Sequence, residues 1–158
     1  MTILKPQKLE RAAFAPFGQV LEYVPGDPLR YDFASKLFSD RPAAIPNLRV
    51  QRTQPTPLPV TVTLIERHRH SSQMFAPLSG GSYLVVVFPS GSNGDPVLEE
   101  GKAFIGRGNQ AINYNVDTWH HGFLALDAPG TFLMLRWEDG SRGDEEFLQL
   151  SSSLCVEA

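Results

Sequence analysis

60-VTVTLIERHRHSSQMFAPLSGGSYLVVVF-88 carries the clearest structural signal in this chain. It contains three short segments rich in β-branched and aromatic residues, which predict strands over 60–68, 73–78 and 82–88. The last of them includes 83-YLVVVF-88, which is apolar on both faces, as is 132-FLMLRW-137 further along. Segments of this kind are typical of strands packed inside a two-layer or dimeric structure.

The same punctuated pattern extends to both sides of this stretch. Pro and Gly, 13 of each, fall between short apolar segments and favour many short strands over long helices. Further strands are predicted over 18–23, 102–106, 111–115, 121–126 and 131–137. Two short helices are predicted near the ends, over 7–14 and 144–150, and Asp144 is a candidate cap for the second. The sequence therefore predicts an all-β sandwich or barrel with short terminal helices.

Length and charge restrict the class of protein. The 158 residues suit a single domain, with a core barrel over about 60–137 and N-terminal strands and loops over 1–59 packed on it. The net charge is −3 with scattered Lys and Arg, which argues against a nucleic-acid or membrane-surface partner. No apolar run approaches the roughly 20 residues of a membrane span, and the N-terminus lacks a secretory signal. We therefore expect a cytoplasmic protein that binds a small molecule.

A second copy of the chain is the other expected partner. Strands such as 83–88 suggest more apolar area than one small barrel hides, and exposed sheet edges invite pairing. The sequence therefore predicts a homodimer.

The first cluster of residues that could carry out chemistry is 66-ERHRH-70. In a regular strand alternate residues share a face, so Glu66, His68 and His70 are expected to project together. Two imidazoles on one face can grip a transition metal, and Gln73 could add a weaker oxygen ligand or a substrate hydrogen bond. An exposed polar strand end would show the same spacing, so this alternative stays open.

The second cluster is 119-WHH-121. Adjacent strand residues point to opposite faces, so at most one of His120 and His121 joins a common site with His68. Spacing favours His120 as that residue. A β-bulge near 115–118 would reverse the assignment.

Together the two clusters resemble the paired motifs of the cupins, which are small β-barrels. His68, His70, Gln73 and Gly80 follow the order of the first cupin motif, with Gln73 one residue early in place of its Glu. The run 115-NVDTWH-120 is similar to the second motif, with His120 at its metal histidine. A cupin-like β-barrel is the fold that this resemblance implies.

A closer resemblance is to the ureidoglycolate lyase family, whose members are also called ureidoglycolate hydrolases. The resemblance lies in seven segments spread over residues 14–126: 14-FAPFGQVLE-22, 30-RYDF-33, 57-PLPVTVTLIERH-68, 72-SQMFAPL-78, 84-LVVVF-88, 103-AFIGRGNQAINY-114 and 119-WHHGFLAL-126. It implies an enzyme of allantoin and purine degradation that cleaves ureidoglycolate to glyoxylate and urea.

The resemblance also implies roles for particular residues. The expected catalytic residues are His68, His120 and Glu66. The expected substrate-binding residues are Arg30, for the carboxylate, together with Gln73, Asn113, Tyr114 and His121. A divalent transition metal would be held by ligands drawn from His68, His70, Gln73 and His120, and no organic cofactor is expected.

Several residues depart from the family pattern and keep two other functions open. Asn115 and Val116 stand where the family usually has His and Arg, Gly122 replaces a Pro, and His70 is not a usual family residue. The first alternative is another metal-dependent cupin enzyme acting on a small acid. The second is a non-catalytic cupin that binds a small molecule.

Overall fold

The computed structural model describes residues 2–158, apart from the side chain of Ala34. Almost all of its regular structure is β-strand, arranged in two sheets. The strands are β1 (Thr2–Leu4), β2 (Gln7–Lys8), β3 (Gly18–Leu21), β4 (Ile45–Thr53), β5 (Val60–His68), β6 (Gln73–Ser79), β7 (Tyr83–Phe88), β8 (Lys102–Gly106), β9 (Ala111–Tyr114), β10 (Trp119–His120), β11 (Leu124–Ala125), β12 (Gly130–Glu138) and β13 (Glu145–Val156).

The two sheets have different sizes and orders. Sheet A has the order β1-β13-β5-β10-β7-β8-β2, with β11 also paired to β7. Sheet B has the order β3-β9-β6-β12-β4. Most pairs are antiparallel, and only β1–β13 and β2–β8 are parallel within residues 2–158. The predicted all-β fold is confirmed.

The core lies on both sides of β7. Tyr83, Val85 and Val87 belong to an apolar cluster shared with residues of sheet B, such as Phe132. Leu84 and its alternate neighbours belong to a second cluster on the other face of sheet A. Every residue of β7 is buried within one copy of the chain. The apolar excess that led us to predict a dimer is therefore not found in this strand.

The predicted C-terminal helix over 144–150 is wrong. Residues Glu145–Val156 form the long strand β13, which pairs antiparallel with β5 from Glu145 opposite His68 to Val156 opposite Val60. A short helix is marginal by itself, so pairing with a strand nearly 80 residues earlier outweighs local helix preference. The N-terminal helix predicted over 7–14 is confirmed only for its last turn, α1 (Arg11–Phe14), because Gln7–Lys8 forms the strand β2.

Strands outside 60–137 complete both sheets. Sheet B ends at β3 and β4, and sheet A includes β13 between β1 and β5. Short 3-10 turns occur at Ala34–Lys36 and Leu98–Glu100. Among residues 2–158, the structure contains no helix of the length and apolar character needed to cross a membrane.

Candidate functional site

Glu66, His68 and His120 form one group on the inner face of sheet A. Glu66 and His68 end β5, and His120 lies directly opposite Glu66 in the antiparallel pairing with β10. Directly opposed residues share a face of a sheet, which brings the three side chains together. One ligand atom from each residue lies within 4.8 Å of the other two.

His120 is almost fully buried and fixed from several sides. Its Nδ1 lies 2.8 Å from the carbonyl oxygen of Thr118, so the ring N–H is on Nδ1 in the neutral imidazole. Its Nε2 lies 3.3 Å from a carboxylate oxygen of Glu66. The ring stacks on Tyr114 with centroids 4.2 Å apart. These contacts leave the Nε2 lone pair directed toward Glu66.

His68 is held in a matching way by a different residue. Its Nδ1 lies 3.5 Å from Oδ2 of Asp144, and its ring centroid is 5.9 Å from that of His120. The buried Nε2 atoms of both histidines have no hydrogen-bond partner among the described residues. We call these two atoms the open nitrogens.

Asp144 occupies a buried position at the start of β13. It accepts hydrogen bonds from the backbone N–H of His70, at 2.7 Å, and from the hydroxyl of Ser71. Burial by itself would raise the pKa of this carboxyl, but the contacts with His68, Ser71 and the His70 N–H outweigh burial and hold the pKa well below its usual range. Asp144 is therefore a fixed negative charge behind His68, not the helix cap predicted from the sequence.

Glu66 is also ionised at neutral pH. Burial would raise its pKa, but the neighbouring His120, His68 and Arg136 together lower it below the ordinary value. Burial, and then the charge of Glu66, raise the pKa of the Tyr114 hydroxyl well above its ordinary value. The site thus combines an ionised carboxylate with a neutral phenol.

The group has the donor chemistry of a transition-metal site. Two imidazole Nε2 atoms and one carboxylate converge, and each imidazole directs its Nδ1 to an oxygen that orients the ring. Histidines that bind a metal usually donate their other ring N–H to a carboxylate or a backbone carbonyl in this way. The open nitrogens are buried polar atoms that a bound cation would satisfy. Glu66, His68 and His120 therefore fit a divalent transition metal.

Sheet B supplies the opposite wall of the site. Tyr114 lies opposite Gln73 in the pairing of β9 with β6, and Gln73 contacts the sulfur of Met134 on β12 at 3.6 Å. The Gln73 Oε1 and the Tyr114 hydroxyl are buried and, in residues 2–158, have no hydrogen-bond partner. Arg136 follows Met134 by two residues on the same face of β12.

Other predicted site residues lie apart from this group. The sequence placed His70 on the face of His68, but β5 ends at His68, and the His70 ring lies 3.0 Å from Asp40. Arg30 is 86% exposed in its side chain and pairs with Asp32, which also lies in the loop after β3. Neither His70 nor Arg30 is placed to serve as predicted.

Two more predicted residues have contacts of their own. The Asn113 amide donates to Gln19 at 2.7 Å and to the carbonyl of Lys36, away from its neighbour Tyr114. His121 is half-buried, and its Nδ1 lies 2.7 Å from the carbonyl oxygen of Gly122. Burial lowers the pKa of His121, and the adjacent His120 adds to this effect. The metal-type group contains His120 and not His121.

Sequence reasoning missed Asp144 and Arg136. Asp144 was assigned to a helix, and nothing in the local sequence links it to His68. Arg136 lies in a segment that is otherwise apolar on both faces. The sequence pattern therefore did not single it out as a polar residue on the inner face of the strand. An alternation test along 132–136 would have placed Arg136 on the face of Phe132 and Met134.

Comparisons with known proteins show which proteins this chain is similar to. A family model described as ureidoglycolate lyase matches residues 1–157. A ureidoglycolate lyase of Azotobacter vinelandii is 37% identical over 158 residues, covering 93% of this chain and 93% of that protein. A ureidoglycolate lyase of Burkholderia mallei is 36% identical over 167 residues, covering 100% and 96%.

A solved structure supports the fold. A dTDP sugar isomerase from Desulfovibrio desulfuricans is similar with a TM-score of 0.50 and 16% identity, covering 87% of this chain and 88% of that one. At this identity the likeness concerns the cupin-like architecture alone. The family model and the two full-length relatives carry the assignment, and the chain belongs to the ureidoglycolate lyase family.

Proposed function

We propose that this protein is a carbon–nitrogen lyase that cleaves ureidoglycolate into glyoxylate and urea. The observation that carries the proposal is the pair of open nitrogens on His68 and His120 beside the ionised Glu66. The named activity of the full-length relatives supports the choice of substrate. No placed nucleophile is needed, because the reaction is the collapse of a carbinolamine.

The open nitrogens of His68 and His120 are proposed to hold a divalent transition metal, with Glu66 beside it. When bound, such a metal lowers the pKa of a substrate hydroxyl and stabilises developing negative charge. Asp144 and the Thr118 carbonyl keep both rings oriented for this purpose.

Glu66 is proposed to move the proton. Its carboxylate accepts the proton of the substrate hydroxyl as the carbon–oxygen bond becomes a carbonyl. The carbon–nitrogen bond breaks, and the same carboxyl returns the proton to the departing urea nitrogen. Proton transfer by one positioned group typically contributes about 10²–10⁴-fold to the rate. The net change is one proton moved from oxygen to nitrogen.

Gln73 and Tyr114 are proposed to hold the urea end of the substrate. Gln73 Oε1 accepts from a urea N–H, and the Tyr114 hydroxyl donates to the urea oxygen. Both polar atoms are buried and lack partners within residues 2–158, which costs free energy unless a ligand or water satisfies them.

A direct assay tests the function. Purified protein is incubated with each enantiomer of ureidoglycolate, with and without added divalent metal, and glyoxylate and urea are measured separately. We expect equal amounts of both products from one enantiomer. Oxygen consumption without urea release would indicate another metal-dependent cupin enzyme, and binding without turnover would indicate a binding protein.

We also propose a homodimer formed through the outer face of sheet B. On this face Val50 lies opposite Leu133, and Leu48 lies opposite Leu135. Leu48 and Val50 are 61% and 63% exposed, and their strand β4 is the last of the sheet. Exposed apolar residues clustered at an edge strand are a typical pairing surface. A second copy of the chain would bury it by face-to-face packing.

A further inference from the structure

Arg136 lies at the polar end of the inner row of β12. Phe132 and Met134, two and four residues earlier, are buried in the cluster between the sheets. Because alternate strand residues share a face, the side chain of Arg136 continues this row. It is 23% exposed, and it lines the same small cleft as His68. Its charge also contributes to the lowered pKa of Glu66.

The guanidinium of Arg136 already binds carboxylates. Its Nη1 lies 2.5 Å from Glu145, and its Nε contacts Glu138. Glu145 lies directly opposite His68 in the pairing of β13 with β5. An arginine fork suits carboxylate groups because it donates two parallel charge-assisted hydrogen bonds. Two protein carboxylates thus occupy a carboxylate-binding group beside His68.

The cleft is closed in this arrangement. Its free space is about 10 Å³, which is room for no more than one water molecule. A carboxylate can reach Arg136 from this cleft only if the ion pairs around the guanidinium rearrange. Glu138 is about one-third exposed, so it can turn into solvent without leaving a buried charge.

The other nearby arginines have different tasks. Arg41 also borders the cleft, but it is tied to Asp139 at 2.9 Å and donates to the carbonyl of Trp137. The buried Arg67 stacks over the ring of Trp119 on the other face of sheet A. Neither can be freed as readily as Arg136.

We propose that Arg136 binds the carboxylate of the substrate, in exchange for Glu138 and Glu145. The proposal rests on the proposed lyase function for the identity of the substrate, but carboxylate binding itself needs no turnover. Glu138 and Glu145 occupy the guanidinium when the site is empty of substrate and weaken the apparent affinity by competition. Arg136 takes the role that the sequence assigned to Arg30.

Calorimetric titration of metal-free protein with glyoxylate tests this directly. Arg136→Met removes the charged fork but keeps the apolar stem, and it should weaken glyoxylate binding about 10- to 100-fold. Arg136→Lys keeps the charge without the fork and should recover only part of the affinity. The matched control is Arg49→Met, because Arg49 also pairs with Glu138, at 3.4 Å, but from β4. It should change affinity by less than about twofold.

Glu138→Gln gives the opposite sign and leaves Arg136 in place. It should tighten glyoxylate binding several-fold, because one competing carboxylate is gone. Wild-type-like binding by Arg136→Met, weaker binding by Glu138→Gln, or no glyoxylate binding by the wild type would each overturn the proposal. A wild type that binds glyoxylate through Arg136 but releases no urea from ureidoglycolate would instead overturn the lyase function alone.

Discussion

Replacing Asp144 with Asn tests how the fold supports the site. The carboxylate accepts two hydrogen bonds, from the His70 N–H and the Ser71 hydroxyl, and faces His68 Nδ1. Asn has one acceptor oxygen instead of two, so one charge-assisted hydrogen bond is lost. The amide N–H₂ then faces the remaining groups that the carboxylate contacted. A hydrogen bond to a charged group is worth about 1.5–3 kcal/mol. We therefore expect Asp144→Asn to lower the free energy of unfolding by about 2–3 kcal/mol at pH 7.

The difference should depend on pH with a defined sign. The pKa of Asp144 is lowered in the folded protein, so the unfolded chain binds its proton first as the pH falls. The stabilisation is fully present above the unfolded pKa, near 4, and is lost as the pH falls below it toward the folded pKa. Urea unfolding of wild type and Asp144→Asn between pH 7 and pH 2.5 should show the two curves converging at the acid end.

The same substitution should disturb His68. Without the carboxylate, the Nδ1–H tautomer of His68 is no longer favoured, and metal affinity should fall about 10- to 100-fold. The control is Asp40→Asn, which removes the carboxylate beside the half-exposed His70 and should cost less than about 1 kcal/mol. Equal stability of Asp144→Asn and wild type at pH 7, or an unchanged ring tautomer of His68 by ¹⁵N NMR, would refute the role given to Asp144.

Three further perturbations separate the site from the scaffold. His68→Ala and His120→Ala should each lower the rate of urea release by about 10²–10⁴-fold, with the fold intact by circular dichroism, whereas His121→Ala should retain turnover. Normal turnover by both His68→Ala and His120→Ala would exclude a histidine-centred mechanism. Arg67→Met removes a buried cation bound to Glu146, Asp117 and the Gly94 carbonyl and should lower the unfolding free energy by about 3–5 kcal/mol, measured in urea, without a direct effect on substrate affinity. Val50→Glu should convert the dimer to a monomer, as measured by light scattering. The control is Leu29→Glu, because Leu29 is fully exposed. A monomeric wild type would rule out the interface.

The sequence predicts the strands whose signals are local. β5 and β8 have the predicted bounds, and β7 differs by one residue, because apolar runs between Gly and Pro turns leave little choice. β13 was missed because its partner lies far away in sequence and its pairing shifts register between Gln149 and Leu154, at a run of three serines. No local pattern reveals such a long-range pairing.

The candidate site was predictable only as far as strand alternation holds. Alternation and spacing selected His120 over His121, and opposite pairing with Glu66 puts it in the group. Alternation failed for His70, because β5 ends at His68 and the chain bends where Asp144 accepts the His70 N–H. Contacts that arise from the ends of β12 and β13 could not be read from residues 66–70 alone.

The two sheets contribute unequal parts to the proposed chemistry. Sheet A provides His68, His120 and Glu66 on adjacent strands, and their Nδ1 partners fix the rings before any ligand binds. Such preorganisation saves the cost of ordering these groups during the reaction. Sheet B provides Arg136, whose partners must exchange when a carboxylate enters. Because the histidines and Glu66 are held rigidly, substitutions at these residues of sheet A should act mainly on kcat. Because Arg136 exchanges its partners for the substrate carboxylate, substitutions at Arg136 or Glu138 should act mainly on KM.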